Sequence, residues 1–182
     1  MTKKNEALIE KIEQLAFIIA AVDGISEEEG HEFEMLAGKM RLYLDFKPAV
    51  EEFIKTKDLD KAKSKIKGPP VHQHIMKMGF HPHIDEIAKK IQKIIDKGED
   101  VIEEYDALLK VTAADIENEF DRQITLIAAE DLIRVDGADE YEMRALMVLR
   151  KFWSISTRQT NAYFSDYIKP LWEIANDMPL KD

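Results

Sequence analysis

The chain has 182 residues, of which 45% are hydrophobic and 34% charged, with a net charge of −10 and no cysteine. That length and apolar content suit one globular domain able to bury a sizeable core. The acidic balance argues against a nucleic-acid binder, which needs a basic face toward phosphates, and the missing thiols exclude a disulfide frame, thiolate metal sites and cysteine nucleophiles.

Only 7 glycines and 6 prolines punctuate the sequence, which favours helices over many-turned β structure. The first helix is expected over residues 5–22, where Leu8, Ile12, Leu15, Ile19 and Val22 form one stripe. Its apolar run, 15–22, would span only ~12 Å as a helix, far short of a ~30 Å bilayer core. With no targeting segment visible, the chain reads as soluble and cytoplasmic. Gly24 ends this helix as a residue that tolerates positive φ. Ser26 and Glu29 then have the spacing of a capping box for a second helix that buries Phe33, Leu36, Met40 and Leu44.

Lys47-Pro48 is expected to open a separate short helix with Val50, Phe53 and Ile54. Another should follow Asp58 with Leu59, Ala62 and Ile66, stopped by Gly68-Pro69-Pro70. A piece over 71–78 is followed by a helix with Pro82 near its start. That helix should turn Ile84, Ile87, Ile91, Ile94 and Ile95 inward and continue past a kink at Gly98 through Val101, Ile102, Tyr105, Leu108 and Leu109. Thr112 is a candidate cap for the next helix, with Ile116, Phe120, Ile124, Ile127, Leu132 and Val135 inside. Asp139 and Glu142 form a second capping box ahead of Ala145, Leu146, Leu149 and Phe152. Ser156 caps a last helix with Phe164 and Ile168, which Pro170 should interrupt before a tail bearing Leu171, Trp172 and Ile174. The expected fold is therefore an all-α compact bundle of about seven to nine helices.

An internal repeat organises this string. Val22-Asp23-Gly24-Ile25-Ser26-Glu27-Glu28-Glu29 recurs as Val135-Asp136-Gly137-Ala138-Asp139-Glu140-Tyr141-Glu142. The offset that carries position 23 to 136 also pairs Leu15 with Ala128, Ala16 with Ala129, Ile19 with Leu132, Phe33 with Leu146, Leu36 with Leu149 and Met40 with Trp153. Two helix–turn–helix units of common origin follow from this. The domain is read as 1–182, with repeat halves at about 12–45 and 116–153 and an inserted helical segment, 46–115.

Helix-terminus chemistry accounts for Gly, cap and Glu in each turn, but less well for Asp23 and Asp136. A carboxylate at a helix C-terminus meets the negative end of the macrodipole, at a cost of ~0.3–1 kcal/mol. The following helix N-terminus could offset that cost, and so could a bound hard cation. Ca2+ or Mg2+ takes oxygen ligands, and Asp23, Glu27, Glu28, Asp136, Asp139 and Glu140 are the candidates. An EF-hand is excluded, because with Gly137 at its sixth position the end ligands would be Leu132 and Met143.

These paired turns, each ending an apolar helix and opening an acidic one, resemble the tellurite-resistance TerB-like family over about 12–45 and 116–153. Both turns are one residue tighter than that family's usual spacing, and the segment between them is longer. The resemblance implies a compact helical fold with pseudo-symmetry, an acidic surface that binds divalent metal, and a non-catalytic role in stress-response or membrane-associated complexes. Its aspartates would map onto Asp23 and Asp136, and its helix-opening acids onto Glu29 and Glu142.

Four further groups stand apart. His72, His74, His81 and His83 crowd one stretch and form an alternative metal site, for a metal-dependent enzyme or a sensor. Glu28 and His31 have the Glu-x-x-His spacing of di-iron bundles, but the second copy carries Tyr141 and Arg144 there. Lys55, Lys57, Lys61, Lys63, Lys65 and Lys67 make a basic strip, by default a solvated face and otherwise a docking site for an anionic membrane surface or an acidic partner. Trp153, Trp172, Tyr163, Phe164 and Tyr167 enrich the C-terminal end, as core or as a dimer face. The expected function is non-enzymatic, through protein partners or a homodimer; a plain helical dimeric interaction module is the remaining alternative.

Overall fold

The computed structural model describes residues 3–22, 24–67, 82–98 and 101–178. In chain order these form α1 (Lys3–Ala20), α2 (Glu27–Thr56), α3 (Leu59–Lys63), α4 (Pro82–Lys97), α5 (Val101–Ala113), α6 (Glu119–Ile133), α7 (Glu140–Trp153) and α8 (Thr157–Tyr163). A π-helical turn (Phe164–Ile168) then leads into α9 (Lys169–Asn176). The architecture is all-α, and the described residues contain no strand.

α1 is the central element. Ile12, Leu15, Ile18 and Ile19 are fully buried, and α2, α4, α5, α6 and α7 pack around it. Residues 15–20 of α1 are buried on every side, and a segment of that kind can only be satisfied inside a bundle; each large apolar side chain contributes roughly 1.5–3 kcal/mol on burial. Tyr105 of α5 ties itself to this helix by donating its hydroxyl hydrogen to the Ile18 carbonyl. The six pairs from Leu15/Ala128 to Met40/Trp153 are buried in both copies, so α1–α2 and α6–α7 are equivalent hairpins sharing one core.

Several element ends differ from the sequence expectation. Pro48 lies inside α2, with no break before it. An interior proline costs ~3 kcal/mol or more, but Leu44, Phe46, Ala49 and Val50 are buried around it, and their burial outweighs that cost. Lys47 also anchors this stretch, donating to both Asp121 carboxylate oxygens at 2.7 Å. α4 stops at Lys97, and Gly98 has φ +70°, so the chain makes a helix end there and not a kink.

Thr112 does not cap the next helix: it sits within α5 with its hydroxyl donating to the Leu108 carbonyl, and Asn118 is the α6 N-cap. Pro170 does not interrupt the last helix either. It occupies the first turn of α9, where the missing N–H is lost least, and the π-helical turn before it absorbs the change. Ile95, Val135 and Phe152, which the helical period places inward, are exposed, as are Leu59 and Ile102. The piece expected over 71–78 lies outside the described residues.

Candidate functional site

Both Asp-Gly turns are built by the same local chemistry. After α1, Gly24 takes φ +118°, and after α6, Gly137 takes φ +104°. A Cβ at either position would meet open space, so glycine is required there by backbone conformation and not by crowding. Ser26 accepts from the Glu29 amide at 3.1 Å while Glu29 accepts from the Ser26 amide at 2.9 Å. Asp139 and Glu142 repeat the exchange at 2.7 and 2.9 Å. Both capping boxes are therefore formed, and both N3 glutamates are buried.

The remaining acids face water. Glu27 and Glu28 at the first turn, and Asp136 and Glu140 at the second, are exposed, while Asp139 is half-buried by its capping role. Asp23 lies outside the described residues. The two glutamates at N3 are not in the same state. Glu29 spends Oε2 on its cap, while its Oε1 is buried with no hydrogen-bond partner among the described residues. A buried carboxylate oxygen without a donor is costly. Among the described residues no group of three or more His, Asp or Glu side chains is arranged to hold a metal ion.

The histidine stretch is seen only at its end. His72, His74 and His81 lie outside the described residues, whereas His83 is half-buried in the first turn of α4. Its Nε2 stands 3.0 Å from Oε2 of Glu13 on α1. Glu13 is 4% exposed, and burial pushes its carboxyl up to about 7, with Arg41 opposing and Glu10 reinforcing the rise. Glu6, Ile9, Glu10, Glu13, Ala37 and Arg41 line a cleft of about 220 Å³ at this point. Glu13 falls outside the apolar stripe that the sequence assigns to this helix. Its helical neighbours Ile9, Ile12, Ala16 and Phe17 are all apolar, and that local signal places position 13 on the buried side.

A second buried ionic group joins α6, α7 and α8. Arg150 is buried, pairs with Glu130, and donates to the Thr160 hydroxyl at 2.9 Å. The lysines of the basic strip are all exposed, and Lys57 stacks over the Tyr167 ring at 4.5 Å. The C-terminal aromatics act largely in packing: Trp172 meets Tyr43 and Phe46 at 5.9 and 5.1 Å between ring centres, and Tyr167 meets Phe53 and Tyr163 at 6.0 and 5.4 Å. Trp153 is buried. Searched against family models, curated proteins and solved structures, the chain finds no match.

Proposed function

We propose that this chain is a non-enzymatic, TerB-like stress-response protein that works through partners, and that its acidic Asp-Gly turns are charged binding surfaces able to take a divalent cation. The observation that carries the cation reading is the buried, unpartnered Oε1 of Glu29 in the first turn. A hard cation seeks an oxygen of that kind, completing its shell with turn carbonyls and water. The exposed Glu27 and Glu28 add negative potential beside it. The second turn, with Asp136, Asp139 and Glu140, is the weaker position of the two.

Thermal melting during calcium or magnesium titration tests this. The wild type is expected to gain in midpoint, by mass action on the folded state. Glu29→Gln keeps the capping geometry, since glutamine serves at N3, and should lose that gain; Asp23→Asn/Asp136→Asn should reduce it. An equal rise in wild type and variants, or no rise at all, overturns the cation reading.

A further inference from the structure

The repeat supplies an internal control for the surface of α7. Among the described residues nine large apolar side chains are exposed, and five of them fall between 135 and 152: Val135 at 44%, Tyr141 at 52%, Met143 at 44%, Met147 at 47% and Phe152 at 42%. At the last four positions the equivalent hairpin carries Glu28, Gly30, Glu34 and Lys39. The fold therefore does not require apolar residues there. Large apolar side chains kept in water on one hairpin, where the same fold accepts polar ones on the other, mark a surface that something covers.

The covering partner can be read from the order of residues along the helix. Tyr141, Val148 and Phe152 fall within about 40° of one another around α7, with Glu140, Arg144 and Lys151 along the adjoining crest. Glu140 stands in the first turn and Lys151 in the last; both are exposed, and neither has an ion-pair partner among the described residues. Laid antiparallel against itself about a two-fold axis near position 146, this helix brings Glu140 and Lys151 of the other copy, and likewise Tyr141 and Phe152, each to within one residue rise (~1.5 Å) of level. One register satisfies the charged and the aromatic pair at once. A surface complementary to its own reverse is what a two-fold dimer requires.

We infer that the chain forms a homodimer through antiparallel contact of α7 with α7 of a second copy, held by Tyr141 and Phe152 and set in register by Glu140 and Lys151. A contact centred on one helix is small among stable interfaces, so the dimer is a reversible one.

Sedimentation equilibrium of the full chain over roughly 1 µM to 1 mM tests it, a window that brackets weak association. The wild type is expected to pass from monomer to dimer. Phe152→Lys and Tyr141→Glu copy residues the first hairpin carries at these positions, so both should keep the helical circular dichroism spectrum while shifting the midpoint at least tenfold toward monomer. Glu140→Lys alone should also weaken the dimer, and adding Lys151→Glu in the same chain should restore it. A monomer throughout, a dimer indifferent to Phe152→Lys, or failure of the double charge reversal to restore association overturns the proposal. Capture of a different protein by a monomeric wild type would likewise overturn it.

Discussion

The two Asp-Gly hairpins agree in their caps and their innermost apolar positions, and they part at buried polar sites. Where the second hairpin pairs Glu130 with Arg150, the first has Phe17 and Ala37, with Phe17 packed edge-on against Phe33 at 5.8 Å between ring centres. Where the first buries Glu13 against His83, the second has the fully buried Leu126. One backbone plan thus accepts an apolar or an ionic filling at the same place. What decides is the neighbour outside the repeat. Arg150 reaches α8 through Thr160, and Glu13 reaches α4 through His83. α2, 30 residues long, instead supplies its own continuation.

Transplanting one filling into the other hairpin tests that equivalence and carries the largest expected effect. Arg150→Ala leaves Glu130 in a mostly dry position without its cation, and should cost about 3–5 kcal/mol in urea unfolding. Adding Glu130→Phe imports the Phe17/Ala37 solution and should recover most of the loss. If the double variant is no more stable than the single, the two hairpins are not interchangeable at this position.

Glu13 gives the next effect, and its sign follows from the direction of its shift. Burial pushes its carboxyl up to about 7, above the ordinary glutamate value of 4.5. The native protein therefore holds a proton that the unfolded chain releases. This favours folding fully below pH 4.5, and the benefit drains away as pH rises through 7. The groups facing it are His83 from α4, Arg41 from α2 and Glu10 on its own helix. Urea melts compared between wild type and Glu13→Gln should show a difference that changes by roughly 1–3 kcal/mol over that interval, the wild type losing ground as pH rises. A constant difference would show that Glu13 is not protonated in the fold. Glu13→Leu, copying Leu126, should also abolish the pH-dependent part.

These two sites were the least legible features of the sequence, while the caps were the most legible. Ser26 with Glu29, and Asp139 with Glu142, close their hydrogen bonds within four residues, so spacing alone specifies them. The repeat pairs were legible because one offset compares like with like. Glu13 depends on a partner 70 positions away in the chain, and the continuity of α2 through Pro48 depends on burial against other elements. Phe152 and Trp153 show the same limit at one step: helical period alone put Phe152 inside, but Trp153 is the residue that is buried. Of the candidate cation ligands, residue type suggested the exposed acids, whereas the unpartnered oxygen belongs to Glu29, which the local pattern had assigned wholly to capping.

The shared caps should respond alike. Ser26→Ala and Asp139→Ala each remove one acceptor from a first-turn amide, at ~0.5–2 kcal/mol. Because both boxes are complete, the two losses should match within a few tenths of a kcal/mol. A much larger loss at position 26 would mean that Ser26 supports more than the helix end, as it would if a cation at Glu29 depended on the cap.

The smallest effect bears on the aspartates that the repeat preserves. Asp136 is exposed three residues beyond the end of α6 and three before the N-cap of α7. The two helix ends pull on its charge with opposite sign, and dipole effects fade within a turn. With chelator present and at low salt, Asp136→Asn should raise stability by no more than ~0.3–1 kcal/mol if the carbonyl end of α6 dominates. In millimolar calcium the order should reverse, because only the wild type has a cation-binding carboxylate to lose. If the variant is less stable under chelator, the amide end of α7 already stabilises Asp136, and this aspartate needs no ligand to explain it. A gain under chelator that calcium leaves untouched would assign the cost to Asp136 and remove it from the cation site, leaving Glu29 and the first turn as the only position at which a divalent ion is still expected.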